Sequence, residues 1–210
     1  MFLSVANACD AGDLCKDPTM ILTDVIQFAK SLPDCPNLFD GQAPQVVRMT
    51  MANQISYPGF KEAYKATCRY QESISAASSK AHADTVSNVI EFTKGLADCP
   101  TLVGRDALQI ADLVALKKIS YDGFKMVYTA TCNYDDSLNA ASSLPRANIV
   151  SGLIQMAKSL NYCHPLADQQ AFQVADLVQS GRIDLNSFKM SYVTSCSFDS
   201  AVAAARISGH

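Results

Sequence analysis

The sequence predicts an all-α protein made of three tandem repeats of about 64 residues, and three observations lead to this prediction. Two cysteines with one constant spacing occur three times, and equivalent cysteines are about 64 residues apart. The three copies align without a gap, and several positions keep the same residue in every copy, among them Ile26, Phe60 and Tyr64. Apolar residues follow the helical period, whereas sustained strand alternation is missing and glycine is scarce. Repetition at such a period is typical of helical arrays.

The first helix of the repeat is predicted from an apolar stripe in the first copy. Prolines follow the stripe at positions 33 and 36, and proline interrupts a helix because it lacks an N–H donor. The helix is therefore expected to end beside Cys35. The stripe has the spacing i, i+3, i+4, i+7 and i+10, and it consists of Leu22, Val25, Ile26, Ala29 and Leu32.

Three further helices are predicted in each repeat. The second and third show helical spacing most clearly at residues 108–114 and 60–67, and the third is expected to end near Cys68. The fourth is expected to begin after residues suited to helix starts, namely Asp135, Asp136 and Asp199. Short connections favour antiparallel neighbours, so the chain should contain about twelve helices arranged as hairpins.

Stacked hairpins predict an α-solenoid-like array, with a compact helical bundle as the alternative. Polar stretches at residues 78–84 and 142–146 mark the joints between units. The predicted organisation is an N-terminal segment at 1–19, followed by repeats at 20–83, 84–147 and 148–210.

Six of the eight cysteines occupy repeat-equivalent positions, which indicates structural disulfides. Pairing inside each repeat uses every thiol, whereas pairing between repeats (Cys68–Cys99 and Cys132–Cys163) leaves Cys196 alone. Connectivity stays open on spacing alone, and buried free thiols are a further alternative. No metal site is expected, because the chain has no CxxC motif and its three histidines are not repeat-equivalent. The favoured pairs are Cys9–Cys15, Cys35–Cys68, Cys99–Cys132 and Cys163–Cys196.

The N-terminal residues 1–8 resemble the end of a secretory signal, with Ala6-Asn7-Ala8 as an A-x-A cleavage site. A complete signal would need a basic segment and a longer apolar region before them, so a chance similarity is the alternative. A lipid-anchored Cys9 is another, and it would leave Cys15 without a partner. Together with the cysteines, this segment favours an extracellular or periplasmic protein.

Charge and hydropathy exclude several classes of function. The net charge is −3 and basic residues are scattered, so no nucleic-acid partner is expected. No apolar run approaches the length of a membrane span. Lys30 and Lys61 recur in every copy and are interpreted as solvated faces, with contact to an anionic partner as the alternative.

Two local patterns resemble catalytic or metal-binding motifs, and neither supports the chemistry. Tyr57 and Lys61 have the Y-x-x-x-K spacing of short-chain dehydrogenases, but the chain has no dinucleotide-binding pattern and its third copy holds Leu185 in place of the tyrosine. The segment after Asp176 resembles a calcium loop, but Val178 stands where an oxygen ligand is needed. We therefore predict no catalytic residue, no metal ligand and no cofactor.

Several segments of the third copy resemble a bacterial family of short helical repeats with Q-V-x-x-L and F-S-F-D type motifs. The matching segments are residues 173–178, 188–189 and 197–200, and the middle copy matches in part at 109–113 and 119–122. Members of that family are commonly exported and have no defined activity. The resemblance implies a helical array and export, and it carries over no catalytic residue.

The sequence therefore favours a non-catalytic, exported structural or protein-interaction repeat protein. Tandem units offer the same surface three times, which suits binding of a protein partner or self-assembly. The alternative is a carrier of a small apolar ligand or lipid between helices, because the chain is rich in aliphatic residues and phenylalanine.

Overall fold

A computed structural model describes residues 17–39 and 41–206 of the chain. These residues form twelve α-helices and, within the same ranges, no strand beyond an isolated bridge between Ile183 and Arg206. The predicted all-α class is confirmed. The predicted Cys9–Cys15 pair and the signal-like residues 1–8 lie outside the described residues.

Each repeat contributes four helices. In the first repeat they are α1 (Pro18–Lys30), α2 (Gln42–Met51), α3 (Tyr57–Thr67) and α4 (Tyr70–Ala76). In the second they are α5 (Lys80–Lys94), α6 (Arg105–Ala115), α7 (Tyr121–Thr131) and α8 (Tyr134–Ala140). In the third they are α9 (Leu144–Ser159), α10 (Asp168–Gln179), α11 (Leu185–Ser195) and α12 (Phe198–Ala204).

The third helix of each repeat has well-defined signals at both ends. It begins after a side chain that accepts a backbone N–H of the first turn, and this residue is Ser56, Ser120 or Asp184. It ends at a cysteine in the left-handed conformation, with φ of 55° at Cys68, 54° at Cys132 and 53° at Cys196. The predicted end near Cys68 is confirmed, and the left-handed residue turns the chain directly into the fourth helix.

Two helix limits differ from the prediction. The fourth helix starts earlier than expected, because Asn133 and Ser197 cap it immediately after the cysteine. Asp135, Asp136 and Asp199 therefore lie in the first turn, where the helix dipole favours carboxylates. The first helix ends at Lys30, so Leu32 lies in the turn that follows.

The chain divides into two compact units, Met1–Ala115 and Leu116–His210. The core of the first unit is centred on Val25, Phe60 and Tyr64, and the core of the second on Leu153 and Phe188. The domain limits predicted at the repeat boundaries stay a prediction. Each junction between consecutive repeats lies inside one unit.

The junction in the first unit is formed by α3 and α5. The two helices approach closely at Gly59, where a Cβ atom would lie 3.2 Å from the Cβ of Ala83. The hydroxyl of Ser87 donates to the carbonyl of Glu62 at 3.2 Å, and Ile90 on the same face of α5 is fully buried. The first helix of one repeat therefore packs on the third helix of the preceding repeat.

The junction in the second unit repeats this arrangement with α7 and α9. A Cβ atom on Gly123 would lie 3.2 Å from the Cβ of Ala147. The ammonium group of Lys158 donates to the carbonyl of Ala130 at 2.6 Å, and Ile154 is buried against the same cluster. The close approach of glycine to alanine and the buried isoleucine are therefore common to both junctions.

Candidate functional site

The disulfides follow the predicted pairing inside repeats. Cys35 and Cys68 are bonded with their Cα atoms 4.7 Å apart, and Cys163 and Cys196 are bonded at 5.0 Å. Cys99 and Cys132 are also disulfide-bonded. Because Cys68 is bonded to Cys35, the alternative pairing Cys68–Cys99 is excluded. The alternative of free thiols is wrong for these six cysteines.

A tyrosine hydroxyl makes a hydrogen bond next to each of the bridges Cys35–Cys68 and Cys163–Cys196. Tyr64 lies four residues before Cys68, and its hydroxyl donates to the carbonyl of Pro36. Tyr192 donates in the same way to the carbonyl of His164 at 2.5 Å. Burial raises the pKa of both tyrosines above the ordinary value, because a phenolate would lose its hydration there. These side chains hold the loop after the first helix against the third helix.

A buried histidine bridges two elements at the first junction. The Nδ1 atom of His82 lies 2.9 Å from the carbonyl oxygen of Ala76, and its Nε2 atom lies 3.0 Å from Oδ1 of Asp112. The side chain is 8% exposed. It ties the end of α4 to α6 of the next repeat.

An arginine makes the equivalent bridge at the second junction. Arg146 donates from one terminal nitrogen to Asn139 on α8 and from the other to Asp176 on α10, both at 2.9 Å. Its guanidinium group also lies over the ring of Phe172, 5.4 Å from the centroid. The sequence held the signal for this feature, since His82 and Arg146 occupy equivalent positions of consecutive repeats, as do Asp112 and Asp176. The alignment alone does not reveal the bridge, because His82 and Arg146 are different residue types.

A polar groove of about 780 Å³ lies beside this bridge in the second unit. Its lining includes Asp136, Arg146, Gln173 and Arg182. Burial and the neighbouring carboxylates of Asp168 and Asp135 raise the pKa of Asp136. Such a lining suits a polar ligand, and it does not favour the apolar ligand of the carrier alternative.

The Y-x-x-x-K pair is used structurally. The Tyr57 hydroxyl donates to Asp24, and the Lys61 ammonium group lies 3.4 Å from the same carboxylate and 4.8 Å from the centroid of the Tyr57 ring. Tyr57 is 2% exposed, so its hydroxyl is not presented to a substrate. The three residues connect α1 and α3.

The calcium-loop pattern also belongs to the scaffold. Asp176 pairs with Arg146, and Gly181 adopts a φ of 69° in the turn after α10. Within residues 17–39 and 41–206, no group of three or more histidine, cysteine or acidic side chains is placed to hold a metal ion.

Two helix faces expose residues whose repeat-equivalents are buried or partly buried. On α1, Ile26 is 38% exposed, whereas Ile90 and Ile154 are 0% and 2% exposed. On α11, Met190 is 67% exposed, whereas Met126 is partly buried against the core. Tyr162 and Val193 extend the apolar surface around α11, and the Tyr162 hydroxyl donates to the Val193 carbonyl.

Comparisons with known proteins leave the family unassigned. No family model, curated protein or solved structure matches this chain. The resemblance to exported helical repeats stays a prediction. Among the described helices, none combines the length and the hydropathy needed to cross a bilayer.

Proposed function

We propose that this chain is a non-catalytic structural or protein-interaction repeat protein that works outside the reducing cytosol, in an extracellular or periplasmic setting. The disulfides support the compartment, because such bonds persist where thiols are not kept reduced. The exposed apolar residues on α1 and α11 support the interaction, because the repeat-equivalents of Ile26 and Met190 are covered at the internal junctions. This contrast between equivalent residues carries the proposal.

The polar and charged side chains described above support a non-catalytic role. His82 is held between a carbonyl and Asp112, and Lys61 is held by Asp24. Each of these contacts joins two helices. A catalytic group, in contrast, has to reach substrate with its reactive atom.

Two measurements test the proposal. Protein taken from its natural host is alkylated without reduction and weighed intact, and we expect the six bridged cysteines to stay unalkylated. The purified protein is also incubated with ester, peptide and glycoside substrates, and we expect no turnover. Free thiols in native material would contradict the compartment, and turnover that survives repeated purification would contradict the non-catalytic role.

The carrier alternative has its own test. Solvent extraction of the purified protein, followed by mass spectrometry, would reveal a stoichiometric lipid or other apolar molecule. The groove beside Arg146 is lined largely by polar side chains, so we expect none.

A further inference from the structure

We propose that copies of this chain associate head to tail, with the outward face of α1 in one copy packed on the outward face of α11 in the next. This inference rests on the proposed interaction role and specifies its partner as a second copy. The contact would reproduce, between chains, the packing of α5 on α3 and of α9 on α7.

The outward face of α1 keeps the residues that form the internal junctions. On α5 and α9, four residues face the preceding repeat, and we call them the junction stripe. The four equivalent residues of α1 are identical or chemically similar, and they are Leu22, Thr23, Ile26 and Lys30. Their counterparts are Val86, Ser87, Ile90 and Lys94 on α5 and Val150, Ser151, Ile154 and Lys158 on α9. Thr23 and Ile26 are exposed on this face, and Leu22 is half-buried.

The polar residues of the α1 stripe correspond to residues that donate hydrogen bonds across the internal junctions. Ser87 donates to the carbonyl of Glu62 on α3, and Lys158 donates to the carbonyl of Ala130 on α7. Thr23 and Lys30 carry the same donors at the equivalent positions of α1. Both acceptors are backbone carbonyls on the third helix of a repeat. Every helix carries such carbonyls, so these hydrogen bonds do not depend on the partner's side chains.

The outward face of α11 is the matching surface. Residues that take the next repeat on α7 are Gly123, Met126, Val127 and Ala130, and their counterparts on α11 are Ser187, Met190, Ser191 and Thr194. Met190 keeps the apolar side chain at the centre of this surface and is 67% exposed. Val193 and Tyr162 lie beside it and add apolar area.

A second copy fits this surface because of its continuity with the internal junctions. At both junctions, the partner of a stripe of this type is a third helix of the repeat. Of the three third helices, α3 and α7 are covered by α5 and α9, whereas α11 leaves Met190 exposed. An interface in which different surfaces of two copies meet forms chains or rings.

The contact should be weaker than an internal junction. The internal junctions place glycine opposite alanine, with Gly59 against Ala83 and Gly123 against Ala147. The equivalent residues on α11 and α1 are Ser187 and Thr19, whose larger side chains keep the two helices further apart at this end. Association is therefore expected to be reversible.

The test uses the full chain with its disulfides intact. The average mass is measured by light scattering over a concentration series that reaches about 1 mM. We expect the mass of the wild type to rise with concentration. Ile26→Glu and Met190→Glu should each abolish the rise, and both residues are exposed, so the fold should tolerate the changes. Phe39→Glu is the matched control, because Phe39 is 74% exposed and lies off both faces.

Mixing the two variants identifies the interface as head to tail. The Ile26→Glu chain keeps its α11 face, and the Met190→Glu chain keeps its α1 face. Each variant alone should be monomeric, and an equimolar mixture should form a dimer that does not grow further. The double variant Thr19→Ala, Ser187→Gly should associate about tenfold more tightly than the wild type, because it restores the close approach of the internal junctions.

Three results would overturn the inference. They are a wild type that stays monomeric at about 1 mM, a mixture of the two variants that forms no dimer, and a double variant that associates no more tightly than the wild type. A symmetric contact through α11 alone would show as association that is lost in Met190→Glu and retained in Ile26→Glu. None of these results would imply catalysis, so the proposed non-catalytic role would be judged separately by the substrate panel.

Discussion

Replacing Gly123 with alanine should destabilise the second unit, although alanine normally favours a helix over glycine. The added Cβ would lie 3.2 Å from the Cβ of Ala147 and 3.4 Å from both the Cα of Ala141 and the Cβ of Ser120. Favourable contacts between carbon atoms lie at about 3.5–4.0 Å, so α9 would have to move away from α7. The neighbouring atoms are Cα and Cβ atoms, and rotation of a side chain cannot move them away.

The expected size follows from two opposing effects. Alanine in place of helical glycine gains at most about 0.5–1 kcal/mol, and less in the first turn, where Gly123 lies. Overpacking of a buried contact costs about 1–3 kcal/mol. The net change in the free energy of unfolding should therefore be a loss of about 1 kcal/mol. The equivalent position in the third repeat holds Ser187, which is only half-buried.

Gly152→Ala is the matched control. Gly152 lies in the middle of α9, and apart from the neighbouring backbone of α9 itself no atom lies within 4 Å of the position its Cβ would take. The helical gain is then unopposed, and the variant should be stabilised by about 0.5–1 kcal/mol. Urea unfolding under non-reducing conditions measures both changes. At about 2–4 °C per kcal/mol for a chain of this size, thermal midpoints should shift in opposite directions. If Gly123→Ala stabilises the protein as much as Gly152→Ala does, the close approach of α7 and α9 is not a constraint and the reasoning fails.

Four further predictions concern the second unit, Leu116–His210. Cys163→Ser with Cys196→Ser should lower the free energy of unfolding by about 2–4 kcal/mol, measured by urea unfolding with the wild type as control. Asp136→Asn should stabilise the protein at about pH 7 and lose this effect below about pH 4, because the raised pKa of Asp136 means that its ionised form is disfavoured in the fold. Asp184→Ala should destabilise the protein at about pH 7, since the Ser187 backbone bond lowers the pKa of Asp184 and its cap is lost as the pH falls. Two stabilised variants would contradict the assignment for Asp184, and two destabilised variants the assignment for Asp136. Tyr192→Phe should lower the free energy of unfolding by about 1 kcal/mol at neutral pH. The raised pKa of Tyr192 favours the protonated form in the fold. The wild type should therefore lose more stability than the variant as the pH rises above about 10.

The fold could be predicted from the sequence because each level of evidence pointed to the same period. Apolar spacing predicted the helices, and the cysteine spacing predicted their grouping in fours. The limits of the fourth helix were less accessible, because Asn133 and Ser197 could not be distinguished as caps from the acidic residues that follow them. The start of the fourth helix is set by the cysteine directly before these residues, which adopts the left-handed conformation. Cysteine normally avoids this conformation, so the sequence gives no sign of it.

The candidate surfaces could be predicted only in part. When the repeats are aligned, His82 corresponds to Arg146 and Ile26 corresponds to Ile90, so these equivalences can be read from the sequence. The sequence does not show which of the equivalent residues are exposed, because a buried isoleucine and an exposed one look alike in a sequence. Exposure depends on whether another helix covers the residue, and this depends on the packing of whole repeats.

The disulfides and the junctions stabilise this protein in different ways. A bridge such as Cys35–Cys68 connects residues of one repeat, and much of its effect comes from restricting the unfolded chain. The contact of Gly59 with Ala83 connects two repeats and exists only in the folded state. Reduction should therefore lower the stability of each repeat while leaving the junction contacts in place, whereas a change at Gly59 should weaken the coupling between repeats with every bridge intact. Junction residues, and not the cysteines, thus determine how cooperatively neighbouring repeats unfold.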